Sequence, residues 1–387
     1  MNLLKCSGTN TLTGDFITLK GGLLITQTES SVVKTTQQDS YLAPGFIDLQ
    51  VNGFAGVDYN SGSTPMEEIA RSIQAQFACG VSRFYPTVIT GGPSEMLAAL
   101  RNLNQAMETL PEGFAMEGFH VEGPHISAED GPRGAHPRQW VRQPDVAEYK
   151  RWQDATNGKV KLVTLSPEWP TAPHYIESLV KDGVVISIGH TGASREQIQA
   201  AVSAGATLST HLGNGAHAVL PRHPNYIWEQ LAEDRLWADF IVDGIHLSNS
   251  FLKTALRAKG IGRSVLVTDA SSPAGAPPGR YMLGSQEVDL TADNRVVLAG
   301  QTRLAGSALR MNTGVSNLMK MCGLSLSDAI TMATTNPAKV GKISGRQDGL
   351  AVGDRADVIE FTLDQESKSI QILKNYIDGK LVYQSHS

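Results

Sequence analysis

The chain predicts an α/β fold, a (β/α)8 barrel carrying a small β-sandwich domain formed by both chain ends. Two patterns lead to this. About eight short apolar runs alternate with helix-patterned stretches through the middle of the chain, and both ends consist of short strands with turn punctuation. A third observation orients the barrel. Several central runs finish on a lone ionisable residue, as parallel strands do when they aim side chains into one shared mouth. The boundaries read as residues 1–43 for the first part of the sandwich, 44–345 for the barrel and 346–387 for the second part.

Taken in order, Phe16-Ile17-Thr18-Leu19 runs through Lys20-Gly21-Gly22 into Leu23-Leu24-Ile25-Thr26, a hairpin-like pattern. The barrel strands read Phe46 to Val51, Val81 to Pro86, Phe114 to Val121, Val160 to Leu165, Val184 to Ile188, Thr207 to Thr210, Phe240 to Val242 and Ser264 to Val267. Pro65 to Ala78 carries helix-start signals: Thr64 as N-cap, Pro65 at the first helical position, and Glu67-Glu68 where carboxylates meet the positive end of the helix dipole. Arg195 to Ala204 follows Ser194, and Leu326 to Thr334 follows Ser325, in the same style. The chain then returns to strands at Asp357 to Thr362, Ile370 to Leu373 and Lys380 to Tyr383. A few isolated strands are marginal in water, so the two ends are expected to pair into one small domain.

Composition narrows the function. With 387 residues and 41% hydrophobic content the chain can build a barrel of about 250 residues and a smaller module. The net charge of -5 gives no basic footprint for nucleic acid. Cys6, Cys79 and Cys322 lie far apart with no CxxC pair, which argues for a reducing compartment and against a Cys-based zinc site. Met1-Asn2-Leu3-Leu4-Lys5-Cys6 leads into Ser, Gly, Thr and Asn without the apolar core of a signal peptide, and no run of the chain is long and apolar enough to span a membrane. A soluble cytoplasmic protein without nucleic-acid or membrane partners is expected.

Four central runs end on a group that can bind a metal or carry a proton. Phe119-His120-Val121 delivers Glu122, Val184 to Gly189 delivers His190, Ala206 to Thr210 delivers His211, and Ser264 to Thr268 delivers Asp269. One such residue alone is ordinarily a hydrogen-bonded core group. Several buried together cost about 1–3 kcal/mol each unless something satisfies them. Two histidines and a carboxylate fill three positions of a tetrahedral zinc and leave one open, the layout of a hydrolytic site. Glu122, His190 and His211 are therefore candidate ligands of one divalent metal ion per chain, with Zn2+ preferred. Asp269 reads either as an N-cap or as a proton carrier; Ser271 to Gly279 offers no helix to cap, which favours a general base that then acts as acid.

Gln50 and Asn52 share a face at i and i+2, where other metal barrels carry a His-x-His pair. Amides are weak zinc ligands, so this pair reads as hydrogen-bonding groups in the barrel floor and no second metal is expected. Arg222 and His246 lie in loops after strands. They could hold an anionic group, with backbone N–H groups near Asn214-Gly215 as a small nest, or could be solvated loop charges. No Walker loop, GxSxG elbow or dinucleotide fingerprint is present.

Together these residues resemble the N-acetylglucosamine-6-phosphate deacetylases of the amidohydrolase superfamily. The likeness covers most of the chain, on Pro44-Gly45-Phe46-Ile47-Asp48, Glu122-Gly123-Pro124, Gly189-His190-Thr191, Thr210-His211-Leu212, Asp243-Gly244-Ile245-His246, Thr268-Asp269-Ala270 and Leu304-Ala305-Gly306-Ser307. Asn336-Pro337-Ala338 and Gly353-Asp354-Arg355-Ala356-Asp357 are shared more widely across the superfamily. The resemblance implies metal ligands at Glu122, His190 and His211, an acid/base at Asp269, and His136 near the substrate sugar. It implies that Asn214, Gly215, Arg222 and His246 handle a phosphate, partly from a neighbouring subunit, hence a homodimer. Gln50 and Asn52 fit the subgroup without a second metal and stand on the substrate side. The implied substrate is a small amino sugar phosphate that loses its acetyl group.

The chain departs from the family in two places. An aromatic and then Asn-Ala-Met usually follow Thr-His-Leu, whereas Gly213-Asn214-Gly215-Ala216-His217 stands here. Arg222 is followed by His223-Pro224-Asn225-Tyr226 where Glu-Pro-Gly is more usual. Both fall in the sugar and phosphate region, so the galacto epimer or another N-acyl compound is an alternative substrate. Two further readings are a non-catalytic sugar-phosphate sensor, which needs neither Asp269 nor an open metal position, and a phosphotriesterase-like hydrolase, which wants two metals near the first strand.

Overall fold

A computed structural model describes residues 4–31, 40–346 and 349–385; Met1 to Leu3 of the leader reading lie outside them. Eight parallel strands adjoin one another in chain order: β1 (Phe46–Val51), β2 (Val81–Ile89), β3 (Phe119–Glu122), β4 (Val160–Leu165), β5 (Val185–Ile188), β6 (Leu208–Ser209), β7 (Trp237–Ile241) and β8 (Ser264–Val267). The ring closes where β8 runs on. Val51 bridges Ala270, Asn52 N–H donates to the Ala270 carbonyl at 2.7 Å, and the Thr268 hydroxyl donates to Asp48 at 2.5 Å. Both faces of β1 and β2 are buried throughout, because helices cover the outside of a parallel barrel while side chains fill its inside.

Part of that filling is polar and fully paired. His120 on β3 lies 2.8 Å from Thr164 Oγ1 on β4, which lies 2.7 Å from Thr210 Oγ1, and Ser187 on β5 reaches the same hydroxyl at 2.5 Å. Burial pushes the His120 pKa down to about 4, so it is a neutral bridging group at neutral pH. This layer is the floor on which the barrel mouth stands.

The chain ends pair as expected, in one seven-stranded sheet. Tyr41–Pro44 joins them, parallel to Leu4–Asn10 on one side and antiparallel to Val358–Leu363 on the other. Ile370–Ile377 and Lys380–Gln384 complete one wing, and Phe16–Gly21 and Ile25–Ser31 the other. The helices after Ser194 and Ser325 start as read, with both serine hydroxyls accepting from backbone N–H groups and a reciprocal Gln197 contact at the first.

Three elements differ from the sequence reading. Thr64 does not cap the helix Met66–Phe77; its hydroxyl donates to the Asp58 carbonyl at 2.8 Å, closing the preceding loop. The run from Phe114 to Val121 is broken: Gly113–Ala115 is a short helical turn, and Gly118, at a φ of 153°, redirects the chain before β3 begins. After β8 the chain forms an unforeseen antiparallel meander of Gly279–Leu283, Gln286–Leu290 and Val296–Leu298. Among the described residues no helix is long and apolar enough to cross a membrane.

Candidate active site

The ionisable residues read from the sequence meet at the C-terminal mouth of the barrel. Glu122 is the last residue of β3, and His190, His211 and Asp269 each stand two residues beyond β5, β6 and β8. Those three share a backbone feature, with φ of 49°, 31° and 49°. Left-handed conformations are uncommon outside glycine, and strain of this kind gathers where a side chain must be aimed. All four side chains are buried.

Their contacts form one cluster. Glu122 Oε1 lies 2.9 Å from His211 Nε2 and 3.2 Å from His190 Nε2. His136, which sequence reading put beside the sugar, brings its Nε2 to 3.2 Å from His190 Nε2. The ligand atoms of Glu122, His136 and His190 all lie within 4.8 Å of one another, so these three could share one ion, and His211 joins them through Glu122 Oε1.

Whether this set fits a metal ion can be judged from its protons. His190 Nδ1 lies 2.8 Å from the Pro132 carbonyl, which can only accept, so the proton sits on Nδ1. Nε2 is thereby left to face the Glu122 carboxylate at 3.2 Å, where the two groups can share a cation. Burial opposes charge on His211, but Glu122 outweighs it and lifts the pKa to about 9, drawing positive charge to the same point. The donor set of two imidazoles and a carboxylate fits a divalent ion.

Asp269 stands across from this group. Its Oδ1 accepts from Asn52 Nδ2 at 2.7 Å and Gln50 Nε2 at 3.0 Å, and the same Gln50 nitrogen reaches Glu122 Oε1 at 2.9 Å. The two amides thus hold the two carboxylates in register. Burial, then the charge of Glu122, push Asp269 up to about 6, close to what proton transfer near neutrality requires. Asp239 on β7 was missed by the sequence reading. It accepts from the His211 backbone N–H at 2.5 Å and helps fix that left-handed turn. It lies inside its strand, ahead of the apolar run Phe240 to Val242, so it lacked the run-ending position that marked the other residues.

A pocket of about 250 Å³ opens above the cluster, lined by Asn52, Glu122, His136, His190, His211, Asn214, Gly215, His246 and Asp269. His246 is held by a 2.6 Å contact from Nδ1 to Asp243. Gln50 lies beneath the lining, and Arg222 is exposed on a loop outside it. Arg303 and Gln286, absent from the sequence reading, complete the rim.

Gly215 sits at a φ of 55°, and a Cβ there would come 2.7 Å from His190 Nδ1. Gly215→Ala should displace the ring from its Pro132 partner and lower kcat/KM by about 10²-fold. Gly262→Ala, where nothing lies within 4 Å, is the control and should change nothing. Equal rates for both variants would show that the ring tolerates displacement.

A sequence profile of the amidohydrolase family matches residues 41–382. The chain belongs to that family. It is 34% identical over 331 residues to the N-acetylglucosamine-6-phosphate deacetylase of Bacillus subtilis (strain 168), covering 85% of this chain and 82% of that one. It is 35% identical over 351 residues to the N-acetylgalactosamine-6-phosphate deacetylase of Shewanella sp. (strain ANA-3), covering 89% and 84%. Among solved structures, a mutant N-acetyl-D-glucosamine-6-phosphate deacetylase from Mycobacterium smegmatis in complex with N-acetyl-D-glucosamine-6-phosphate superposes with a TM-score of 0.89 at 28% identity, covering 99% of this chain and all of that one. The family read from the motifs is the one these relatives carry.

Proposed function

We propose that this chain hydrolyses the N-acetyl group of N-acetylglucosamine-6-phosphate, giving glucosamine-6-phosphate and acetate. The observation that carries the reading is Asp269, buried and raised to about 6, facing the Glu122, His190 and His211 cluster in one pocket. Those three residues would hold a single divalent ion, with zinc favoured by the nitrogen-rich donor set. Such an ion, when bound, acidifies water and polarises an amide carbonyl. Asp269 takes the proton of the attacking water and hands it to the departing nitrogen, which must leave as an amine because an amide anion is too basic. Asn52 and Gln50 keep the Asp269 carboxylate turned towards the reacting amide. His136 lies beside the sugar, and His246 with the Asn214-Gly215 segment receives its phosphate. Arg222, outside its own pocket, would reach a phosphate only from the second chain of a homodimer. The three free cysteines favour a reducing, cytoplasmic setting.

The galacto epimer is a second reading, supported by the Shewanella relative, which matches this chain as well as the Bacillus one does. Acetate release from both 6-phosphates and from the unphosphorylated sugars separates them. The expected result is turnover of a phosphorylated sugar, with about one divalent ion per chain by elemental analysis. Metal-replete protein that releases acetate from none of the phosphorylated sugars would end the deacetylase reading, and two tightly bound ions would end the single-metal one.

A further inference from the structure

The meander after β8 touches both halves of the active site. Its return segment lies against Asp269: Ser307 N–H donates to the Asp269 carbonyl at 2.9 Å, and Ala270 and Ser307 form a parallel bridge. Its other side meets the loop that carries His136. Leu283, Val288, Leu290, Val296 and Leu298 form a small core of their own with Ile89 of β2, and Ala135 packs against it. Two side chains then fasten the loop on either side of that contact. Gln286 Nε2 donates to the Ala135 carbonyl at 2.8 Å, and Arg303 Nη1 donates to the Gly134 carbonyl at 3.2 Å.

What they fasten has little freedom. The same loop supplies Pro132, whose carbonyl fixes the His190 proton, and His136, whose Nε2 stands 3.2 Å from His190 Nε2. Gly134, at a φ of 58°, presses so closely on the imidazole that a Cβ would lie 3.1 Å from His190 Cε1. Movement of the 134–135 backbone therefore moves His136 and His190 together. His136 itself is held by its Nδ1 contact to Thr90 and by Arg133, which donates to the His136 carbonyl, so Gln286 and Arg303 add the ties at the two preceding carbonyls.

We propose that Gln286 and Arg303 are positioning residues, through which the meander holds the His136 loop in register with His190 and Asp269. Neither needs to touch the substrate. The meander is then a strap across the mouth, anchored at Asp269 and tied down at Gly134 and Ala135.

The proposal rests on the deacetylase reading only for its rate assay. Gln286→Ala and Arg303→Ala should each lower kcat about tenfold with little change in KM, since small misplacements of reacting groups act on turnover. Gln286→Glu is isosteric but donorless when ionised and should fall as far as the alanine variant, whereas Arg303→Lys keeps a donor and should recover most of the rate. Arg280→Ala, on the exposed edge of the meander where it pairs with Asp289, is the control and should behave as wild type. Hydrogen exchange across residues 129–137 should quicken in Gln286→Ala and Arg303→Ala and not in Arg280→Ala. That measurement needs no substrate, so it stands if the deacetylase reading fails. Unchanged exchange in both variants would overturn the proposal. So would a loss confined to KM for phosphorylated sugars, which would make Arg303 a substrate contact instead.

Discussion

Asp269→Asn should slow turnover by roughly two to four orders of magnitude while leaving the fold and the metal content intact, the usual span for losing a general acid–base group. The substitution is well suited to the test. Asparagine is among the few non-glycine residues that tolerate left-handed backbone, so the φ of 49° at this position is kept. The amide retains one oxygen to accept from Asn52 Nδ2 and Gln50 Nε2, so the hydrogen bonds that aim the side chain survive. What it loses is the ability to take and return a proton, and the negative charge opposite Glu122. A variant that kept more than half the wild-type rate at neutral pH would remove Asp269 from the mechanism and make it a structural cap after all.

The parts of this site that were legible in the sequence share one physical cause. A buried apolar strand ending in Glu122, or running on into His190, His211 or Asp269, is hard to explain as core, and the barrel geometry brings every such end to one face. The capped helices after Ser194 and Ser325 were legible for a similarly local reason, the serine hydroxyl meeting the first free N–H groups. The meander was legible in principle. Gly284-Ser285 is a two-residue loop between Gly279–Leu283 and Gln286–Leu290, a hairpin signal overlooked beside the Pro- and Gly-rich stretch before it. Leu4–Asn10 alternates buried and less buried residues as a half-covered strand should, but its Ser, Gly, Thr and Asn hid the period.

Other features had no local signature. The convergence of His136 on His190 depends on a loop turned by Gly131 and Gly134, both at positive φ, and no spacing rule links residues 136 and 190. The amide bridge from Gln50 to Glu122 and Asp269 is long-range in the same sense: the pair was recognised as hydrogen-bonding, but its partners lie 72 and 219 positions away. The same holds for the ion cluster between barrel and end sheet, where the superfamily motif drew notice to Asp357 but gave no hint of its partners.

Removing Asp357 should be the most damaging single change to stability. This carboxylate is fully buried and serves two buried arginines at once. Arg83 of β2 meets it through Nε at 2.8 Å and Nη2 at 2.9 Å, and Arg346 through Nη1 at 2.8 Å. It also accepts from the Asp378 backbone N–H at 2.8 Å, so barrel and end sheet are joined through one side chain. Burial alone would raise its pKa, but Arg346 and Arg83 together hold it well below the usual carboxylate range. Asp357→Ala leaves Arg346 buried without its counter-charge and Arg83 with only the partly exposed Asp378 and Glu117, and breaking a buried pair from one side costs about 3–5 kcal/mol. The sign of the pH dependence follows from the depressed pKa. The contribution is complete above about pH 4, the unfolded value for aspartate, and fades only as the pH falls further towards the folded value. The wild type should therefore show no loss from this cluster between about pH 5 and pH 8, and the variant should be weaker by the same amount across that window. Denaturant titrations of the two proteins at pH 5 and pH 8 measure this directly. Asp289→Ala, which removes a solvent-exposed partner of Arg280, gives the comparison and should leave the midpoint where it was. If both variants shifted alike, the Asp357 cluster would be no more than another surface ion pair, and the tie between barrel and end sheet would have to be sought in their apolar contact.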